Sequence, residues 1–474
     1  MSAPTSAPSP LPLTSFSTWA PLLRAWVEGR EAGADQVLHL AGAVGRDRVR
    51  ASGGVAPHAR DSAASLEAVE RVRAALTAAA AESVTFSARI SPSGRTRLRL
   101  RGPGVSLEGT SDHGALVLVE DAVPEPWRRL PEVYPQAGRS AGDPGAVERW
   151  LLERLPGAAD ARDEEFAAAE ARLGRPLPAE LEALYRVVGT RQEHWDTAMY
   201  EAVPWELFPL EKVHVADASS RSACWPVAAL RAVVTAPGAA VQGLVGSPGW
   251  IVFGEDGCGD LLAVDLTPGP GGRAGQIVAL PLDEPSGAHL VADSLLDLLR
   301  GTEPRGTEPR GTEPRGGSAA GDRERDRVVA LLDAWNRRGV EDVAGPELEV
   351  LCVRLPDGPP ADLAPLAGLP RLRTLSALPG TLADPRQVGA LTGLEYLELG
   401  PAEWRTLLDA GAVPRGLAAA RIITQGLDLP GPPVGLSNEI LALWGRPPLV
   451  RAVVDGDLGP LPRPGSRHVT RPDA

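Results

Sequence analysis

The stretch GTEPRGTEPRGTEPRGG, from Gly301 to Gly317, limits what this chain can fold into more than any other feature. Three copies of a five-residue unit offer no side chain that could anchor a core. Gly frees the backbone, Pro stiffens it, and the Glu and Arg between them keep it in water. Residues 302–320 are therefore predicted to be a flexible linker, reaching about 50 Å if extended. The chain has 474 residues, 43% of them hydrophobic. A single core stops growing near ~250–300 residues, so folded units are expected on both sides of the linker. A second boundary is expected in QAGRSAGDPGAV, residues 136–147. The predicted organisation is a disordered tail over 1–13, a small α+β domain over 14–135, a central domain over 148–301, the linker, a further domain over 322–455 and a loose Pro/Arg-rich tail over 456–474.

In the first region Trp19, Leu22, Leu23 and Trp26 recur at helical spacing, and Leu66, Val69, Val72 and Leu76 do the same within a helix expected over 65–81. Ser83 to Ile90 alternates, meets the turn Ser91-Pro-Ser-Gly94, and alternates again from Thr96 to Leu100, so a hairpin is predicted. Ala115 to Val119 reads as a third strand, giving the order α-α-β-β-β.

The central region reads as a helix, the break Gly174-Arg-Pro-Leu-Pro178, and a second helix striped by Leu181, Leu184, Tyr185 and Val188 and stopped by Gly189. Two strands around the Gly-rich turn of residues 255–260 follow, then a strand over 276–280 and a helix over 291–299. The order Glu170…Leu173-Gly174…Leu177-Pro178…Leu181…Tyr185…Gly189, then Phe253-Gly254…Asp256-Gly257…Gly259-Asp260…Asp265, then Ser294 to Leu299, resembles the SUKH superfamily. That superfamily includes the fungal Smi/Knr cell-wall-assembly regulators and many bacterial toxin-immunity proteins. The resemblance implies an α+β fold with one mostly antiparallel sheet flanked by helices, and a protein-binding role without catalysis.

Beyond the linker, Val350-x-x-Val353-x-Leu355, Leu372-x-x-Leu375-x-Ala377 and Leu394-x-x-Leu397-x-Leu399 recur every 22 residues, with a looser copy at Leu417, Ala420 and Ile422. The period falls in the leucine-rich-repeat range and predicts a short α/β solenoid over 348–424, with Glu395 and Tyr396 pointing outward. Val328, Leu331, Leu332 and Trp335 predict a capping helix over 322–338.

Catalytic patterns are weak. Cys224, Cys258 and Cys352 form no CxxC pair, and the seven histidines form no HExxH cluster. Cys258 lies in a tight turn with no helix behind it to lower its pKa. The acids of residues 255–260 lack the spacing of a calcium loop. Neither a metal nor a cofactor is expected, nor is an enzyme. The start of the chain has neither a basic nor an apolar signal segment, and no apolar stretch is long enough to span a bilayer. The expected setting is cytoplasmic.

Charge is uneven. Residues 1–147 carry +1, residues 148–301 carry −11 from 12 basic and 23 acidic side chains, and the remainder carries −3. An acidic module repels nucleic acid and speeds encounter with a basic protein. Arg95, Arg97, Arg99 and Arg101 line one strand face and read as a solvated surface that blunts edge pairing. The candidate partner contacts are Trp205, Glu206, Glu255, Asp256 and Asp260, an aromatic beside acids. The expected function is neutralisation of a basic toxin domain by binding it, and the alternative is a regulatory scaffold with no toxin.

Overall fold

The computed structural model describes residues 12–27, 37–45, 49–52, 62–79, 81, 83–102, 114–119, 122–138, 142–155, 162–189, 197–221, 224–282, 284, 286–302, 327–335, 338–355, 358–424, 434–446, 448 and 450–460. The tandem TEPRG units, Trp195, residues 1–11 and residues 461–474 lie outside the described residues.

The first region contains α1 (Phe16–Val27), β1 (Leu38–Gly45), β2 (Val49–Ser52), α2 (Ala63–Ala78), β3 (Ser83–Ile90), β4 (Arg95–Gly102) and β5 (Gly114–Leu118). The α1 stripe is as the spacing predicts: Trp19, Leu22, Leu23 and Trp26 are wholly buried, and the Trp26 indole donates to Ser65 Oγ on α2 at 2.9 Å. Leu66 is the exception on α2. It faces solvent, and Ala68, Val69, Val72, Ala75 and Leu76 make the contact stripe. The order is not α-α-β-β-β. The strand β1, LHLAGAVG, was missed because Gly and Ala at four of its positions carry little strand signal.

The central region contains α3 (Glu125–Arg128), α4 (Pro144–Leu152), α5 (Asp163–Leu173), α6 (Ala179–Val188), α7 (Thr197–Ala202), β6 (Glu206–Leu207), β7 (His214–Val215), α8 (Trp225–Ala229), β8 (Trp250–Glu255), β9 (Leu261–Asp265), β10 (Gln276–Leu280), β11 (His289–Ala292) and α9 (Leu295–Arg300). Its sheet runs β11-β10-β9-β8-β6 with every pair antiparallel, and β7 also pairs with β8. Val147, Phe166, Leu181, Leu184, Tyr185 and Leu295 from the helices pack on one face against Ile251, Phe253, Val264 and Ile277. Residues 289–292 form β11, so 291 and 292, expected to open the helix over 291–299, are strand. Ser294 begins α9 by accepting the Asp297 amide at 3.1 Å, which fixes the start after the strand.

The last region contains β12 (Val329–Asp333), α10 (Val340–Val343), β13 (Val350–Arg354), β14 (Thr374–Ala377), β15 (Tyr396–Leu399), α11 (Pro401–Asp409), β16 (Ala419–Ile423), α12 (Val434–Leu443) and β17 (Val450–Asp457). From β12 to β16 the strands are parallel neighbours. Leu351, Leu375, Leu397 and Ala420 stand in register, so the first turn of the ladder is Leu348-x-x-Leu351-x-Val353 rather than the copy two residues later. The two-residue shift keeps the same strand face inward, which is why both spacings look apolar. Tyr396 does not point to solvent. It is wholly buried on the second face of the sheet, stacked on Trp225 at 6.3 Å, while Glu395 pairs with Arg128.

Of the expected helix over 322–338, the described part is helical at 327 and 328 and then gives way to β12 and a turn at 334 and 335. Ala330 and Leu332 face the core while Leu331 and Trp335 face water. A parallel partner for every residue of Val329–Asp333 outweighs a helical apolar spacing that is also compatible with a β-rich Val-Ala-Leu-Leu run.

Two strands cross between regions. The third sheet is ordered β12-β13-β14-β15-β16-β5, so β5 of the first region closes its far edge, antiparallel to β16. The first sheet is ordered β17-β4-β3-β1-β2, and β17 pairs with β4 along all eight residues from Val450 to Asp457. The arginine strand β4 is therefore interior to its sheet, and the edge it was expected to blunt is occupied. The central and last regions also meet directly. Arg373 on the approach to β14 is buried, donates to Ala229 O at 3.1 Å and pairs with Glu349 at 3.2 Å, while Arg129 pairs with Glu349 at 2.7 Å.

Candidate functional site

The central sheet is held by carboxylates that bind backbone rather than solvent. Glu180, 8% exposed on α6, accepts the Asp143 amide at 3.0 Å and the Leu295 amide at 3.0 Å. It thereby satisfies donors at the starts of both α4 and α9, where helix N–H groups lack internal partners. Burial, helped by Asp297 and Asp143, raises its carboxyl above the ordinary range. Glu170 accepts the Leu177 amide at 2.9 Å and closes the turn between α5 and α6, with Gly174 in the left-handed region at φ +68°. Asp265 is wholly buried at the end of β9. It accepts from the Trp250 indole at 3.1 Å, the Thr267 amide at 2.8 Å and the Gln276 side chain at 2.9 Å. Burial outweighs these donors and raises its carboxyl. Neither Glu180 nor the Glu349–Arg373 pair was singled out from the sequence, since an isolated acid or arginine carries no spacing signal.

The five residues expected to contact a partner separate into two sets. Trp205 is in the core at 6% exposure, edge-on to Phe253 at 6.2 Å, and its indole N–H has no acceptor among the described residues. The four acids lie together at one end of β8. Glu206 is exposed on the edge strand β6 and stands directly opposite Glu255 in the ladder. Burial raises the Glu255 carboxyl above its ordinary range, and the charge of Glu206, a hydrogen bond shared with Glu206 and the charge of Asp256 raise it further. Asp256 Oδ1 accepts the Cys258 amide at 2.8 Å and the Asp260 amide at 3.2 Å, and Asp260 Oδ1 accepts the Leu282 amide at 3.0 Å. The turn is thus rigid, with Gly257 and Gly259 at φ +81° and +96° supplying the backbone that this shape requires. Cys258 is exposed at its tip, and its amide serves the turn.

Like charges facing each other across a ladder cost stability, and this β-edge keeps Glu206 against Glu255 with Asp256 beside them. The two aspartates are partly committed to backbone amides, which leaves Glu206 and Glu255 as the freer carboxylates. Among the described residues no group of three or more His, Cys, Asp or Glu is placed to hold a metal ion. Among them, too, no helix is long and apolar enough to cross a membrane. A cavity of about 390 Å³ lies between the central and last regions, lined among others by Arg129, Glu132, Tyr134, Gln242 and Glu349. Arg129 and Glu349 are spent on joining the two regions, and the Gln242 side chain is bound to Glu132 O and Thr267 O within the central one.

Comparison with known proteins bears on the central region. Residues 160–301 match the SMI1 / KNR4 family (SUKH-1), in agreement with the resemblance read from the sequence over 148–301. A protein described as "Cell wall biosynthesis/cell cycle regulator smi1", from Schizosaccharomyces pombe (strain 972 / ATCC 24843), is 40% identical over 63 residues, 13% of this chain and 12% of that protein. The chain therefore spans about an eighth of that relative, and the family match does not extend to the repeat over 348–424.

Proposed function

We propose that the module over 160–301 is a protein-binding module that works without catalysis, and that it neutralises a cognate toxin domain of basic surface by covering it. The carrying observation is the acidic β-edge: Glu206 faces Glu255 across the β6–β8 ladder, and the Asp256–Asp260 turn stands next to them. The match to the SMI1 / KNR4 family supports a binding role, and the net charge of −11 over residues 148–301 supports a basic partner. The leucine-rich-repeat-like ladder beyond the linker is proposed to raise capture through effective concentration. A second reading, a regulatory scaffold without a toxin, is favoured by the regulator relative.

The test is rescue. The basic C-terminal domain of a large secreted protein encoded next to this chain is expressed alone and then with it. Rescue of growth is expected, as is its loss on Glu206→Arg with Glu255→Arg, both at the surface and remote from the core. Rescue that survives the double substitution, or the absence of any toxic neighbour together with several harmless partners, overturns the toxin reading in favour of the scaffold.

A further inference from the structure

A second charged surface, of opposite sign, lies on the first sheet and goes beyond the proposed function. The helices α1 and α2 pack on one face of that sheet, where Leu40, Val44, Val84, Phe86, Ile90, Leu98 and Leu100 join Trp19 and Trp26 in one core. The alternate positions of β3 and β4 therefore turn the other way. Arg89, Arg95 and Arg97 are exposed there. The ladder places Arg97 opposite Arg89 on one side and opposite Asp455 of β17 on the other. Arg97 and Asp455 form a surface pair at 2.9 Å. Farther along the same ladder Arg101 stands opposite Arg451.

Two features point to an anionic occupant. Directly opposed arginines repel: Arg97 faces Arg89, with Asp455 on its other side, and Arg95 faces Asp457, whose Oδ1 also accepts the Gly459 amide, so three exposed arginines share two carboxylates. Neighbouring positions on a strand face are ~7 Å apart along the strand and ~5 Å apart across it, so the planar forks of Arg89, Arg95 and Arg97 form a grid suited to several carboxylates at once. The described outward positions of β1, β3, β4 and β17 hold Ala41, Ala43, Ser87 and Val453 between the charges and no Phe, Tyr or Trp. The His39 imidazole, opposite Arg89, is a single ring on this face, so a strand of bases would find no run of rings to stack on. We infer that this sheet face docks an acidic polypeptide segment, one rich in Asp and Glu.

The test uses the full chain and a fluorescein-labelled oligoglutamate peptide, with an oligothymidylate of equal net charge and sedimentation of the protein alone as the other arms. Peptide binding is expected at low salt, weakening several-fold between ~50 and ~200 mM salt. Arg89→Ser with Arg95→Ser is expected to weaken it at least tenfold, while Glu148→Gln with Glu164→Gln, exposed and remote from the first sheet, leaves it unchanged. Both arginines are exposed, so the melting temperature should hold. Should it fall, Arg89→Lys with Arg95→Lys keeps the charge and should retain part of the affinity. Tighter binding of the oligonucleotide overturns the assignment in favour of nucleic acid. Salt-sensitive self-association that the arginine substitutions abolish overturns it in favour of a second copy. Peptide binding indifferent to the substitutions overturns it outright.

Discussion

Single residues set the stiffness of the central sheet, and Asp265 is the clearest case. Its Oδ1 receives the Trp250 and Thr267 donors, and its Oδ2 receives Gln276, whose own amide oxygen is already held by the Arg273 amide at 2.9 Å. Asp265→Asn must aim an N–H₂ at one of these donors whichever way the amide turns. The expected cost is about 2 kcal/mol, read from urea unfolding. The carboxyl is raised in the folded state, so the fold favours its neutral form. Its contribution is then largest below the ordinary aspartate range and is lost as pH rises through the raised value. The difference between native protein and the Asn variant should therefore shrink as pH rises from the ordinary aspartate range. A gap that widens over that rise contradicts the assignment. Sequence position named Asp265 through the family resemblance. That its role is internal, unlike that of Asp256, is a matter of burial, which no motif encodes.

At the scale of elements, spacing identified most helices and hairpins, because an apolar stripe at 3.6 or 2 residues is written locally. It failed where partners decide. Val328, Leu331, Leu332 and Trp335 satisfy a helix stripe, yet 329–333 make a strand because β13 lies alongside. The hairpin between β3 and β4 shows how a local turn becomes a tertiary joint. Gly94, at φ +88°, turns the chain and its backbone oxygen accepts the Leu458 amide at 2.9 Å. A Cβ at Gly94 would meet the Gly459 carbonyl oxygen at 1.9 Å. Beside it, the Phe16 ring lies against Gly456 of β17, and Arg24 donates to Leu458 O. Gly94→Ala should cost about 2–3 kcal/mol, since both the turn and the backbone against it resist movement. Hydrogen exchange should show β17 losing protection, with the central sheet unchanged. An unaffected β17 would mean the strand is held without this joint.

For the whole molecule, the parts of the chain before and after residues 302–320 are not independent halves. The part before it supplies β5 to the last sheet, and the part after it supplies β17 to the first. Arg373, bonded to Ala229 O, and Arg129, paired with Glu349, tie the central and last regions together. A protease site placed between Gly306 and Arg310 should accordingly be cut without loss of assembly. The two fragments are expected to co-elute in native gel filtration and to part in denaturant, whereas separation under native conditions would refute the interleaving. The predicted segmentation into units in series reads the Gly- and Pro-rich punctuation, and punctuation does not say which strands meet.

By itself the sequence determined the local elements, the family resemblance of the central region and the uneven charge, all of which depend on residues close together in the chain. The tertiary structure alone decided that Trp205 is core, that Glu206 meets Glu255, that Arg97 meets Arg89, and that both ends of the chain share one sheet. Those outcomes follow from ladder register between residues tens to hundreds of positions apart, and register is fixed only when whole faces are buried together.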